Sequence, residues 1–180
     1  MASALDPQTL LLLDDPLSPD EITFLENGIP PVDPAIVTGN TVSQSGLTTP
    51  SLWWARQLYG EDLLSNWLAQ PAGDRLPNRV DLLVNQTVWN RYNYLNRYSF
   101  LTRIGTAARD FGYSTRIFNA QGELLGAYIC DFDDIEAEVQ PQTQQSNCAV
   151  FLDPSGPGAI RGTGGGLLDG FGATDGGIDR

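Results

Sequence analysis

Arginine and aromatic side chains alternate in the middle of the chain, and together they can bind anions or stack against bases. The segment NRYNYLNRYSFLTR places Arg91, Arg97 and Arg103 among tyrosines and a phenylalanine. This alternation is typical of surfaces that bind single-stranded nucleic acid. On a helix, steps of six residues rotate the side chains by about 240°, so these three arginines do not share a face. We therefore favour an amphipathic helix whose arginines pair with carboxylates elsewhere in the chain.

A second arrangement of arginines could bind a small anion. Arg109 and Arg116 flank the turn expected after this helix, and guanidinium groups can hold a carboxylate or a phosphate through paired hydrogen bonds. The same arginines could instead pair with internal aspartates such as Asp81 and Asp110, and both interpretations stay open. Tryptophans could stack on a ligand, although they pack in a core more often. The candidate residues for contact with a ligand or partner are Arg109, Arg116, Arg97, Trp53, Trp54 and Tyr98.

The missing residue types exclude most common enzyme designs. The chain contains no histidine and no lysine, so its ten basic residues are all arginines. This excludes Ser-His-Asp and Cys-His nucleophile systems, histidine metal ligands, lysine Schiff bases and the P-loop lysine. We therefore predict no enzymatic activity and no cofactor. The weaker alternative is a carboxylate-dependent enzyme that uses Asp81, Asp110 or Asp131.

Neither the cysteines nor the acidic cluster predicts a metal site. The segment CDFDDIEAE groups five carboxylates but lacks the EF-hand spacing, so a solvated edge of a sheet is its expected role. Cys130 and Cys148 have no metal-ligand spacing. The N-terminal segment reads as neither a signal peptide nor a membrane span. We expect a cytoplasmic protein with reduced thiols, with a disulfide between the two cysteines as the alternative.

Charge is distributed by region within a net charge of −12. Residues 1–49 carry seven acids and no base, and residues 120–180 carry ten acids and two arginines. Residues 74–118, in contrast, carry seven arginines and three aspartates. Acidic segments with short apolar stretches can bind basic or apolar surfaces, on a partner or on the chain's own centre. They would repel a polyanion, so we do not expect nucleic acid as a partner.

The pattern of apolar residues and turn signals predicts an α+β fold. We expect a short helix near residues 19–27, then a helix from Thr49–Pro50 followed by amphipathic helical turns through Leu68. A strand over RVDLLVN comes next, followed by one long helix over residues 86–111 with Leu95 and Phe111 in its buried stripe. The last expected elements are a hairpin turning at residues 119–122 and an edge strand over CAVFLD. The long helix should cover one face of the sheet, giving a small two-layer sandwich over residues 49–153. Residues 1–48 are expected to be a flexible acidic arm, and residues 154–180 a glycine-rich disordered tail.

Several blocks of the chain resemble a known group of sequences. The segments SLWWARQLYGEDLLSNWLA, RVDLLVN, GTAARDFGY and TRIFNAQGELLGAYICDF look like a group of conserved cyanobacterial proteins of unknown function. The resemblance covers roughly residues 50–132. It implies a cyanobacterial setting, cytoplasmic or membrane-peripheral, and it implies no catalytic residues.

These observations predict a non-enzymatic protein-interaction or assembly-accessory protein with no transmembrane segment. The alternative is a small-ligand or anion-binding domain, with aromatic residues lining a pocket and Arg109 or Arg116 as its anchor. The two functions predict different structures. A flat, exposed aromatic patch favours a protein partner, whereas an enclosed apolar pocket beside a buried, unpaired arginine favours a ligand.

Overall fold

The structure is a computed structural model, and it describes residues 6–29, 32–39, 52, 57–58, 62–132 and 147–152. The helices with described bounds are α1 (Pro7–Asp14), α2 (Pro19–Asn27), α3 (Gln86–Arg91) and α4 (Tyr94–Arg109). The described strands are β1 (Val37–Thr38), β2 (Leu64–Gln70), β3 (Arg79–Val84), β4 (Ser114–Phe118), β5 (Leu124–Cys130) and β6 (Cys148–Leu152). The predicted α+β class is therefore confirmed.

One mixed sheet connects all six described strands, in the order β1-β2-β3-β4-β5-β6. Among these strands, β3 and β4 are the one parallel pair, and every other pair of neighbours is antiparallel. Parallel neighbours need a long connection, and α3 and α4 provide it. The strand, helical crossover, strand and hairpin follow one another in the predicted order.

Both faces of the sheet are covered by helices. On β3, Leu82 belongs to the large apolar cluster that contains the buried side chains of α4. The next residue, Leu83, points to the opposite face and packs with Leu25 of α2. On the same opposite face, Ala127 of β5 packs with Leu12 of α1. The described chain therefore has three layers, because α1 and α2 add a layer that the predicted two-layer sandwich lacks.

The expected flexible arm over residues 1–48 does not hold for residues 6–29 and 32–39, which pack on the sheet. Leu12 and Leu25 are buried in the clusters just described. The apolar residues of this acidic segment are enough to cover a sheet face that would otherwise be open to water. Residues 1–5 and the glycine-rich segment 154–180 lie outside the described residues.

The short helix predicted near residues 19–27 is α2, and local signals mark both of its ends. Ser18 caps α2 and forms a reciprocal capping box with Glu21, and Gly28 ends the helix with a φ of 62°. After α2, Val37 of β1 pairs with Ala69 of β2, which joins the N-terminal segment to the sheet through backbone hydrogen bonds. Segment and sheet therefore form one folded unit.

The segment expected to form helical turns through Leu68 is instead the strand β2. All of its residues except Ser65 are buried, because it lies between β1 and β3 and is covered on both faces. A strand buried on both faces shows no alternation, so a short apolar run such as LLSNWLA cannot be assigned by periodicity. Leu52, Gln57 and Leu58 are helical, as predicted for this region, and the residues around them lie outside the described ranges.

The expected long helix over residues 86–111 is two helices. α3 ends at Arg91, and Tyr92 adopts an extended conformation with φ −74° and ψ 132°. Asn93 then caps α4 by accepting a hydrogen bond of 2.8 Å from the backbone N–H of Asn96. Asparagine is a strong N-cap residue, so the break has a signal in the sequence. In the sequence, the spacing of apolar residues continues across this break, so the capping asparagine is easily overlooked.

The two cysteines form a disulfide, so the expectation of reduced thiols is wrong and the alternative holds. Cys130 and Cys148 are register partners on β5 and β6, and their bond closes the chain across 18 residues. It attaches the predicted edge strand β6 covalently to the sheet. Disulfides persist in oxidising compartments, so the cysteines no longer support a cytoplasmic location.

Gly105 allows α4 to approach the sheet closely. A Cβ at this position would lie 2.3 Å from Cγ of Tyr128 on β5. Gly105→Ala should lower the free energy of unfolding by about 1–3 kcal/mol through overpacking, although alanine is the better helix former. Urea unfolding measures the change. The control is Gly73→Ala, whose Cβ would meet no atom within 4 Å. Similar stabilities for the two variants would contradict this account of the helix–sheet contact.

Candidate functional site

Arg116 is the centre of a buried polar network on the sheet face that α1 and α2 cover. Its Nε and Nη2 atoms donate to the two carboxylate oxygens of Asp81 at 2.7 and 3.0 Å. Its Nη1 atom donates to the carbonyl oxygens of Leu12 and Asp15 at 3.0 and 2.7 Å. The guanidinium group also lies 5.0 Å from the ring centroid of Phe118. All three nitrogens are used internally, so Arg116 is poorly suited to anchor a ligand.

Arg79 extends this network towards α2. Its Nη2 atom donates to Oε1 of Gln70 at 2.8 Å and to Oε1 of Glu21 at 3.3 Å. Its Nε atom lies 3.4 Å from Oδ2 of Asp81, close enough for an ion pair but outside hydrogen-bond geometry. Gln70 also donates to Glu21. Two arginines and two carboxylates therefore balance in charge and join both helices of this layer to β3 and β4.

The surroundings of Glu21 favour its charged form. Burial acts to raise the pKa of Glu21, but the hydrogen bonds from Gln70 and Ser18 and the charge of Arg79 outweigh it. The pKa of Glu21 therefore lies below its ordinary value. The carboxylate is part of the attachment of α2 to the sheet.

The other two predicted arginines also have internal partners. Arg97 is buried on α4, where its Nε atom donates to the carbonyl oxygen of Trp89 at 3.2 Å and its guanidinium lies 5.3 Å from the Trp89 ring centroid. It holds α4 against α3. Arg109, in the last turn of α4, donates to Oδ1 of Asp110 at 3.0 and 3.3 Å in an exposed pair. This hydrogen bond raises the pKa of Arg109, against a smaller opposing effect of burial.

Tyr98, in contrast, lies at the surface, in a patch that we call the α4 surface: Tyr94, Leu95 and Tyr98. Leu95 is 72% exposed and Tyr98 is 42% exposed. The rings of Tyr94 and Tyr98 stack with their centroids 6.4 Å apart. Arg103 is exposed on the same helix.

Leu95 and Phe111 were predicted to lie in the buried stripe of the long helix, and both predictions are wrong. Leu95 follows the break at Asn93, which changes the phase of the helix and turns this side chain to the surface. Phe111 lies beyond the end of α4 and is also exposed. The capping asparagine was the available signal for the exposure of Leu95.

The six predicted site residues do not come together. Arg116 lies on one side of the sheet, and Arg97, Tyr98 and Arg109 belong to the helix on the other. Trp53 and Trp54 lie outside the described residues, so their predicted role in contacts stays a prediction.

Two open cavities adjoin the loop before β3. The larger, of about 540 Å³, is lined by residues 72–78 together with Gln8, Gly112 and Phe132. The smaller, of about 420 Å³, includes Arg79 in its lining. That arginine is already paired with Glu21. Within the described residues, neither cavity combines an enclosed apolar interior with a buried, unpaired arginine.

The described ranges contain no group of three or more histidine, cysteine or acidic residues that could hold a metal ion. Most of the acidic cluster CDFDDIEAE lies outside those ranges. In the part of the chain with described placement, no helix has both the length and the apolar character needed to cross a membrane. Comparisons with family models, curated proteins and solved structures return no match. The resemblance to the cyanobacterial group and the cytoplasmic setting therefore stay predictions.

Arg116 should be among the most important residues for stability. Arg116→Met leaves the buried Asp81 without its paired hydrogen bonds and removes the donor to the α1 carbonyls, so the free energy of unfolding should fall by about 3–5 kcal/mol. Hydrogen exchange should also become faster in α1. The control Arg109→Met removes an exposed pair and should change stability by less than about 1 kcal/mol. Urea unfolding and hydrogen exchange measure both effects. Equal losses in the two variants would contradict the assigned role.

The lowered pKa of Glu21 makes part of the stability depend on pH. A carboxyl whose folded-state pKa lies below its unfolded value stabilises the fold fully above the unfolded pKa, which is about 4.3 for glutamate. The contribution is lost as the pH falls through the folded-state pKa. Glu21→Gln should therefore be less stable than the wild type near pH 7, and the difference should shrink below about pH 4.

Unfolding midpoints measured between about pH 7 and pH 3 test this pH dependence. Glu26→Gln removes the same charge from an exposed position on the same helix and should have a much smaller effect. A difference between wild type and Glu21→Gln that stays constant over this range would contradict the lowered pKa.

Proposed function

We propose that this chain is a non-enzymatic protein-interaction or assembly-accessory protein that binds a protein partner through the α4 surface. Its main support is the exposure of Leu95 and Tyr98 next to each other on one helix. Single exposed apolar residues are common, whereas a cluster of them beside polar residues is typical of an interaction site. Tyrosine, present here, is enriched at protein interfaces.

The charge of the helices suggests the chemistry of the partner. Residues 86–109, which form α3 and α4, contain four arginines and no acid. Of these, Arg97 is buried and Arg109 pairs with Asp110, so Arg91 and Arg103 supply the exposed positive charge of the two helices on a chain with a net charge of −12. Complementary charge speeds encounter and suppresses wrong partners. A segment that combines carboxylates with apolar side chains fits the α4 surface best.

The described residues offer little support for the weaker alternatives. Asp81, a candidate for carboxylate catalysis, is fully buried and bound by Arg116, so it cannot reach a substrate. Asp110 pairs with Arg109 at the surface. The ligand-binding alternative needs an arginine that is available to a ligand. In Arg116, each of the three side-chain nitrogens already donates a hydrogen bond to an internal acceptor.

The test is a pull-down of the tagged chain from an extract of its native cell. The wild type should recover a stoichiometric protein partner, with less recovered as salt rises from about 0.05 M to about 0.5 M. Leu95→Ser/Tyr98→Ser should weaken recovery at least about tenfold, because truncation of central aromatic contacts is costly. Circular dichroism checks that the variant is folded.

The matched control is Phe111→Ser, which removes an exposed aromatic side chain away from the α4 surface. It should recover the partner as well as the wild type does. Recovery of no partner by the wild type, or equal recovery by the Leu95→Ser/Tyr98→Ser variant and the control, would overturn the proposed function.

A further inference from the structure

The helix layer on the other side of the sheet has chemistry complementary to the α4 surface. Residues 6–29, which include α1 and α2, contain six acids and no base. In α1, Leu10 is 47% exposed and Leu11 is 41% exposed. Asp14 is exposed as well, and it lies three or four residues after these leucines, on the same side of the helix. We call Leu10, Leu11 and Asp14 the α1 surface.

The exposed leucines of α1 are not needed for packing within the chain. Four leucines in a row, in the sequence PQTLLLLD, must spread around a helix that touches the sheet on one side. Leu12 faces the sheet and packs with Ala127 and Ile129. Leu10 and Leu11 face away from this contact. They form an apolar ridge beside a carboxylate, which matches the partner chemistry expected at the α4 surface.

The two surfaces cannot meet within one chain. Side chains alternate between the faces of a strand, and β5 shows which helix covers each face. Ala127 and Ile129 contact the layer of α1, whereas Tyr128, between them, lies against Gly105 of α4. The sheet therefore separates the α1 surface from the α4 surface. An α1 surface can reach an α4 surface only on another copy of the chain.

As an extension of the proposed function, and resting on it, we propose that the α4 surface binds the α1 surface of a second copy, head to tail. Leu10 and Leu11 would then cover Leu95 and the stacked tyrosines, and Asp14 of α1 would face the exposed arginines of α3 and α4, Arg91 and Arg103. Such an interface joins two different patches, so a bound pair still has a free α1 surface at one end and a free α4 surface at the other. The assembly grows into chains, or closes into a ring if the rotation permits.

Two variants test this arrangement by complementation. The α1 variant, Leu10→Ser/Leu11→Ser, keeps an intact α4 surface, and the α4 variant, Leu95→Ser/Tyr98→Ser, keeps an intact α1 surface. Sedimentation velocity of the full chain from about 1 µM to about 1 mM spans weak to moderate affinities. The wild type should form concentration-dependent oligomers, including species larger than a dimer. Each variant alone should stay monomeric over this range.

An equimolar mixture of the two variants should form a dimer that grows no further, because one intact surface of each kind is present. The same dimer should not form when the α1 variant is mixed with a copy carrying both pairs of substitutions. Phe111→Ser should associate like the wild type. Substitutions test this interface better than a change in salt concentration does. Salt weakens the attraction between the two patches, but it also screens the repulsion between two acidic chains, so the two effects oppose each other.

Three results would overturn the head-to-tail inference: a wild type that stays monomeric over the whole range, a mixture that stays monomeric, or single variants that still associate. Its failure can be told apart from failure of the proposed function. A monomeric wild type whose pull-down recovers a different protein through Leu95 and Tyr98 rejects only the second copy as occupant. A pull-down that is unaffected by Leu95→Ser/Tyr98→Ser rejects the α4 surface itself.

Discussion

The buried pair of Asp81 and Arg116 is the constraint that sets the layered arrangement. The two residues are register partners on the parallel strands β3 and β4, and both are fully buried. Burying such a pair costs several kcal/mol per ion unless nearly every donor and acceptor is satisfied. Asp81 takes two hydrogen bonds from Arg116, which leaves Nη1 of the arginine without a carboxylate. That nitrogen binds the carbonyls at the end of α1, so the ion pair requires the helix layer above it.

The polar groups at the end of α1 also need hydrogen-bond partners. The last carbonyl groups of any helix lack partners within the helix, and Leu12 and Asp15 find theirs in Arg116. On α2, Glu21 attaches the helix to the sheet by pairing with Arg79. Glu21, one of the N-terminal acids, therefore meets a central arginine across this interface, although the two are far apart in the sequence.

Elements with local signals could be predicted from the sequence, and elements defined by distant contacts could not. The hairpin with Gly122 at a φ of 77° and the capping box of α2 both depend on neighbouring residues. The strand β2 was mistaken for a helix because burial on both faces removes its periodicity. The packing of α1 depends on Arg116, about a hundred residues away in the chain, and composition suggested only a flexible acidic arm.

The candidate site shows the same division. Arginine has an obvious capacity for binding, but its availability depends on whether an acceptor lies within reach, and Asp81 is 35 residues from Arg116. Internal acceptors therefore engage Arg116 and Arg97, two of the predicted contact residues. Tyr98, one of the predicted contact residues, is exposed, and Leu95 lies beside it at the surface because of the helix break at Asn93. A function should therefore be inferred from the side chains that stay exposed once the buried polar groups of the fold have their partners. In the described chain, such side chains include those of two opposite helix surfaces, Leu95 with Tyr98 on α4 and Leu10 with Leu11 on α1.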